Sequence, residues 1–168
     1  MNKPIDTIGI IRESRFDENR APLAPEHIKK LKSKYPNLNI LVQPSAKRCF
    51  SDDEYKDNGA EINEDLTSCS IIFGVKEIDT DILINNKTYI FFSHTYKLNK
   101  ETLNSAQNTL GMDKKKLLKS IIEKNIKLID YENIRDKNSS RYLGFGRFAG
   151  IVGCYNTLNL CLENYNKQ

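Results

Sequence analysis

No stretch of this 168-residue sequence is apolar for long enough to cross a bilayer. The longest runs, Ser70–Val75 and Tyr89–Phe92, are strand-sized, well short of the ~20 residues a spanning helix needs. Residues 1–6 hold no apolar core for a signal peptide, so a cytoplasmic chain without a membrane partner is expected. The four cysteines (Cys49, Cys69, Cys154, Cys161) form no C-x-x-C and have no histidine at ligand spacing. Free buried thiols and no metal are therefore expected. Charge of one sign is not gathered anywhere: 26 Lys and Arg face 22 Asp and Glu, for a net +4, and the lysines are scattered. The densest run, Lys114-Lys115-Lys116, falls in a predicted helix and reads as a solvated face, so nucleic acid is not an expected partner. Walker loops, G-x-S-x-G and metal-ligand spacings are absent too. Phosphoryl transfer, serine hydrolysis and metallohydrolysis have no foothold.

What is present suits a globular chain. Hydrophobic residues make up 39%, enough for a real core, and no repeat or Pro/Gly/Ser linker divides residues 1–168, so one domain is expected. Lys, Ile and Asn together supply a third of the chain, a bias spread over the surface. Short β-branched runs at Thr7–Arg12, Leu38–Gln43, Ser70–Val75, Thr88–Phe92 and Lys127–Tyr131 read as strands. Helical patterns lie between them. Pro25–Tyr35 opens on a first-turn proline and carries Ile28 and Leu31 on one side. Ser51-Asp52-Asp53-Glu54 is a capping box for a short helix that stops at Asn58-Gly59. Asp113–Asn125 sets Leu117, Leu118, Ile121 and Ile122 on one stripe, and Phe148–Tyr165 forms a last helix. Strands alternating with helices predict an α/β fold: a Rossmann-like (flavodoxin-like), doubly wound, mainly parallel sheet in three α/β/α layers with a C-terminal helix.

Ligands of such sheets bind outside the carboxyl ends of the strands. Arg12 to Arg20 follow the first strand, Lys76-Glu77 follow the strand ending at Val75, and Ser93-His94-Thr95-Tyr96-Lys97 follow the strand ending at Phe92. Singly, each has a plain structural reading. Lys76 can be a solvated charge, His94 a half-buried ring with a satisfied hydrogen bond, and Arg20 a partner for Glu18 or for backbone carbonyls. His27, the other histidine, reads as surface. Together, Arg20, Lys76 and His94 suit a small keto acid. Arginine grips a carboxylate with two prongs. A partly desolvated lysine beside it polarises a carbonyl or exchanges protons. A histidine serves as acid or base. Residues 144–149 spell G-x-G-x-x-A, yet no buried strand precedes them and too little chain follows for a dinucleotide fold. The expected role of those glycines is close packing at the start of the last helix.

At these same residues the sequence resembles a known family. Arg20-Ala-Pro-Leu-Ala-Pro25, Gln43-Pro-Ser-Ala-Lys-Arg48, Gly74-Val-Lys-Glu77, Phe91-Phe-Ser-His-Thr95 and Leu128-Ile-Asp-Tyr-Glu132 occur in this order, followed by Phe145-Gly146 and Ala149-Gly150. The set is similar to the N-terminal domain of lysine–ketoglutarate reductase (saccharopine dehydrogenase, lysine-forming). That domain sits within the alanine dehydrogenase and pyridine nucleotide transhydrogenase N-terminal superfamily. The resemblance runs from Ile8 to Gly153.

The resemblance implies that Lys76 and His94 are the acid–base pair and that Arg20 holds a substrate carboxylate. It sets Arg15 and Glu18 near the substrate, where the family has a lysine and a glutamate. The implied reaction condenses lysine with 2-oxoglutarate and reduces the imine to saccharopine with NAD(P)H. An alanine dehydrogenase-like domain acting on pyruvate and a non-catalytic keto-acid or amino-acid binding module are the alternatives. No cofactor-binding residues are expected within the chain. NAD(P)H is expected on a separate or missing nucleotide-binding domain or partner subunit, and a homo-oligomer is compatible with the family. Two departures stand out. Arginine replaces lysine at Arg15. Ser139-Ser140 replace the family's glycine before Arg141, so Asn138 is expected to take the left-handed conformation there.

Overall fold

Apolar residues at alternate positions make both faces of a central sheet. The computed structural model describes residues 6–95 and 114–165, Asn164 by its backbone alone. The chain divides between Asn133 and Ile134 into two compact units. The first holds six strands: β1 (Thr7–Ile10), β2 (Asn39–Val42), β3 (Glu61–Ile62), β4 (Ile71–Phe73), β5 (Thr88–Phe91) and β6 (Lys127–Asp130). Their spatial order is β3-β2-β1-β4-β5-β6, and every pairing between these six strands is parallel. The order reverses between β1 and β4, which makes the carboxyl end of that pair the natural ligand crevice.

Helix α1 (Pro25–Lys34) and helix α2 (Asp52–Asp57) carry the crossovers on one face. There Ile8, Ile10, Ile40 and Val42 pack with Ile28 of α1 and Tyr55 of α2. Helix α3 (Lys114–Glu123) covers the other face, where Leu117 and Ile121 meet Leu41, Ile72, Tyr89 and Phe91. Burying each such side chain contributes about 1.5–3 kcal/mol. The capping box forms as expected: Ser51 Oγ accepts from the Glu54 amide at 3.2 Å and Glu54 Oε2 from the Ser51 amide at 2.7 Å. Beyond α2 the chain turns at Gly59, whose φ of 94° suits glycine.

Several expectations change. Strand β3 has two residues, too few to show an alternating pattern. On α3 only Leu117 and Ile121 are buried, while Leu118 and Ile122 are 36% and 70% exposed. One row at i, i+4 spacing is all that faces the sheet. Only Cys69 of the four free thiols is buried, and burial pushes it up to about 11. Cys49, Cys154 and Cys161 are exposed. In the second unit Ser139, not Asn138, takes the left-handed conformation at φ 63°. The Asp136 carboxylate accepts from the amides of Asn138 and Ser140, which leaves Ser139 as the pivot.

The second unit continues into helix α4 (Gly146–Tyr165), two residues earlier than expected. A Cβ added at Gly144 or Gly146 would meet nothing within 4 Å, so close packing is not what these glycines provide. An isolated antiparallel bridge, Arg135 to Arg141, is the strand-like pairing that precedes them. No helix among the described residues is long and apolar enough to cross a membrane.

Candidate functional site

β1 runs out into Arg12-Glu13, and the Glu13 side chain turns toward the end of β4. Its carboxylate is buried and accepts from the amides of Val75 at 2.6 Å and Lys76 at 2.9 Å. One acidic group thus ties β1 to β4 at the reversal of strand order and fixes the backbone on which Lys76 stands. Burial pushes the Glu13 carboxyl above its usual range, and the two amides only partly offset it.

The loop after β1 brings three more of the expected residues. Arg20 donates from Nε to Glu18 Oε1 at 2.8 Å and from Nη2 to Oε2 at 2.5 Å, and its amide donates to Oε1 at 2.9 Å. Glu18 is buried and Arg20 half-exposed. Burial opposes the Glu18 charge, but the Arg20 bonds outweigh it and hold this carboxyl below the usual range. Arg15 makes its own two-pronged pair with Asp17, at 2.9 and 2.7 Å, on the exposed side of the loop. The Lys47 ammonium donates to the Arg15 carbonyl and anchors the loop.

Lys76 is half-buried among these groups. Its charge favours the ionised forms of Asp17, Glu18 and Glu77. Glu77 is buried and lies 2.5 Å from His94 Nδ1. Burial raises the Glu77 carboxyl, but the His94 bond, a backbone hydrogen bond and the nearby positive charges together hold it below the usual range. An ionised carboxylate only accepts, so Nδ1 carries the proton of this bond. The His94 ring stacks over Phe92 with centroids 6.4 Å apart and planes 21° apart. His94 has a φ of 54°, rare for a residue with a side chain.

The structure therefore brings Arg20, Glu18, Lys76 and His94 to one edge, linked through Glu18 and Glu77, and sets Arg15 on the exposed flank of the same loop. Tyr96 and Lys97 of the expected edge lie outside the described residues. A cavity of about 580 Å³ adjoins this edge, with Glu13, Lys47, Glu64 and Asp79 among its walls. A larger hollow of about 850 Å³ lies at the amino ends of β1, β2 and β4, between Asp6, Tyr35 and Ile71. It is at the wrong end of the sheet for this chemistry. Sequence reasoning passed over Glu13 and Glu77 as site residues. Both are carboxylates three and four residues past the ends of β1 and β4, and that position is the signal that marks them. No cluster of metal-ligating side chains occurs among the described residues.

The family model "Alanine dehydrogenase/PNT, N-terminal domain" matches residues 9–152, which span both the Glu18–Arg20 loop and the Lys76–His94 edge. The chain belongs to this alanine dehydrogenase/PNT N-terminal domain family. Family relatives include the mitochondrial alpha-aminoadipic semialdehyde synthase of Mus musculus, 39% identical over 84% of this chain and 14% of the relative. The Arabidopsis thaliana alpha-aminoadipic semialdehyde synthase is 36% identical over 90% of this chain and 14% of the relative. The saccharopine dehydrogenase [NAD(+), L-lysine-forming] of Candida glabrata is 31% identical over 88% of this chain and 37% of the relative. The chain thus spans about a seventh of the first relatives' length. Among solved structures, an L-alanine dehydrogenase aligns with a TM-score of 0.61 at 18% identity, covering 80% of this chain and 34% of that one. A transhydrogenase from Sinorhizobium meliloti aligns with a TM-score of 0.58 at 17% identity, over 78% of this chain and 36% of that one. Both share the family's doubly wound sheet.

Proposed function

We propose that this domain is the substrate-binding and acid–base half of a lysine–ketoglutarate reductase-type oxidoreductase. One observation carries the reading: the Glu18–Arg20 pair and the Glu77–His94 pair both follow the carboxyl ends of sheet strands around the strand-order reversal, and the Lys76 amide is fixed there by Glu13. The identity with the semialdehyde synthases across most of the chain favours the lysine branch over a pyruvate-using one.

In this reading Arg20 binds a carboxylate of 2-oxoglutarate and Glu18 keeps the guanidinium aimed. Arg15 lines the approach. Lys76 polarises the keto oxygen and passes a proton to it as the lysine ε-amine adds. His94, with Nδ1 bound to Glu77, exchanges protons at Nε2 as water leaves and the imine forms. Reduction of the imine takes a hydride from NAD(P)H. The Gly144–Ala149 segment does not suit that cofactor, since no sheet strand leads into it. A nucleotide-binding domain or subunit beyond the residues of this chain belongs to the proposal.

Chemical-shift titration of the chain with 2-oxoglutarate and with saccharopine tests this reading. A dissociation constant on the order of millimolar, about −4 kcal/mol, is expected for half a cleft. Shifts should centre on Arg20, Lys76 and His94, and should be lost in Lys76→Met and weakened in His94→Gln. Tighter binding of pyruvate than of 2-oxoglutarate, or shifts confined to other surfaces, overturns it.

A further inference from the structure

We propose that Asp130 and Ser93 are positioning residues that set the His94 imidazole for proton exchange. The proposal rests on the acid–base reading of His94 above. His94 occupies a left-handed conformation that side-chain-bearing residues avoid. Nothing in its own side chain relieves that crowding, so its neighbours must hold it.

They do so through one buried carboxylate on the adjacent strand. Asp130 ends β6 opposite Phe91 of β5. Its Oδ2 accepts from the Ser93 hydroxyl at 2.5 Å and from the Ser93 amide at 3.2 Å. Its Oδ1 accepts from the Glu132 amide at 2.9 Å. Ser93 Oγ, fully buried, also accepts from the Thr95 amide at 3.2 Å and lies 2.8 Å from the Thr95 hydroxyl. The residues before and after His94 are therefore fixed to the same point, and the chain between them must reverse.

That reversal sends the ring back toward β4, where Glu77 takes Nδ1. The ring lies on Phe92, which in turn tilts against Tyr131 with centroids 5.0 Å apart. Nδ1 is thereby committed, and Nε2 is the nitrogen offered to substrate. Neither Asp130 nor Ser93 reaches the reacting atoms. Their effect passes through the His94 backbone.

The chain has two histidines, so the ring signals separate cleanly and His27 serves as an internal control. Proton–nitrogen spectra of the imidazoles, recorded without substrate, read the Nδ1 proton held by Glu77. Glu77→Leu should remove that signal and so assign it, since it leaves no acceptor for Nδ1–H. Ser93→Ala and Asp130→Asn should make its exchange with water about tenfold faster, the change expected from losing one net hydrogen bond. They should also mix the ring tautomers, while the His27 signals and the amides of β1 and β2 stay in place. Asp130→Asn keeps the side-chain shape, and Ser93→Thr keeps the hydroxyl and should retain the native ring signal. Variants that keep the His94 Nδ1 proton at its native position and exchange rate overturn the proposal. Because no substrate is present, that failure is separate from a failure to bind 2-oxoglutarate.

Discussion

Arg20 and Glu18 form a two-pronged pair, with Nε 2.8 Å from Oε1 and Nη2 2.5 Å from Oε2. The buried partner is the carboxylate, and the guanidinium is the one that reaches solvent. A flexible cation is thereby held at the sheet edge by a rigid internal anion before any ligand arrives. The orientation depends on the planar fork of arginine, which an ammonium does not share.

Arg20→Lys should accordingly weaken 2-oxoglutarate binding by about 10- to 100-fold, the range for losing a charge-assisted hydrogen bond. Calorimetric titration of both proteins at low ionic strength measures this. Equal affinities would mean that Arg20 serves only the loop.

The acid limb of stability should come from Glu18 and Glu77. Both are held below the usual range in the fold, by Arg20 and by His94 against the opposing effect of burial. Their contribution is full above the unfolded value of about 4.3 and is lost as pH falls through the lower folded values. Glu13 runs the other way. Burial raises it, so its charge costs stability at neutral pH and that cost is relieved on acidification. Melting temperatures measured from pH 7 down to pH 3 should fall less steeply for Glu18→Gln than for the parent. They should fall more steeply for Glu13→Gln.

On α3, Leu117→Ala should cost about 2–5 kcal/mol, since Leu117 is fully buried against the sheet. Ile122→Ala, on the solvent side, should stay within about 0.5 kcal/mol. Urea unfolding followed by circular dichroism separates the two.

Gly9 faces the α3 side of β1, where an added Cβ would come within 2.9 Å of Cys69 Sγ and 3.3 Å of the Leu66 methyls. Gly9→Ala should destabilise by about 1–3 kcal/mol. In a Cys69→Ala background the cost should shrink, with a coupling of about 0.5–3 kcal/mol in a double-mutant cycle. Strict additivity would show that the strand shifts as a whole instead of pressing on the thiol.

Some of this molecule is written locally in its sequence. Ser51 and Glu54 are three residues apart and cap α2 by themselves, and Pro25 opens α1 for the same local reason. Strands alternating with helices along the chain are what made the doubly wound, parallel sheet legible, and alternation within Ile8-Gly9-Ile10 and Ile71-Ile72-Phe73 matches the two faces of that sheet. Arg20, Lys76 and His94 are legible because each stands just past a strand or in the loop it feeds.

The rest needed the packed chain. Leu118 and Ile122 share a helical stripe with Leu117 and Ile121, yet the packed helix buries only the Leu117–Ile121 row. Cys69 is buried and Cys49 is not, although nothing adjacent in sequence distinguishes them. Glu13 bonds to amides 62 and 63 residues away, and Asp130 to a serine 37 residues away. A carboxylate's partner depends on which strand ends lie side by side, and sequence spacing carries no term for that distance. The candidate residues were therefore local information, while their orientation, and the charges that hold them, arose only when β1, β4, β5 and β6 came together.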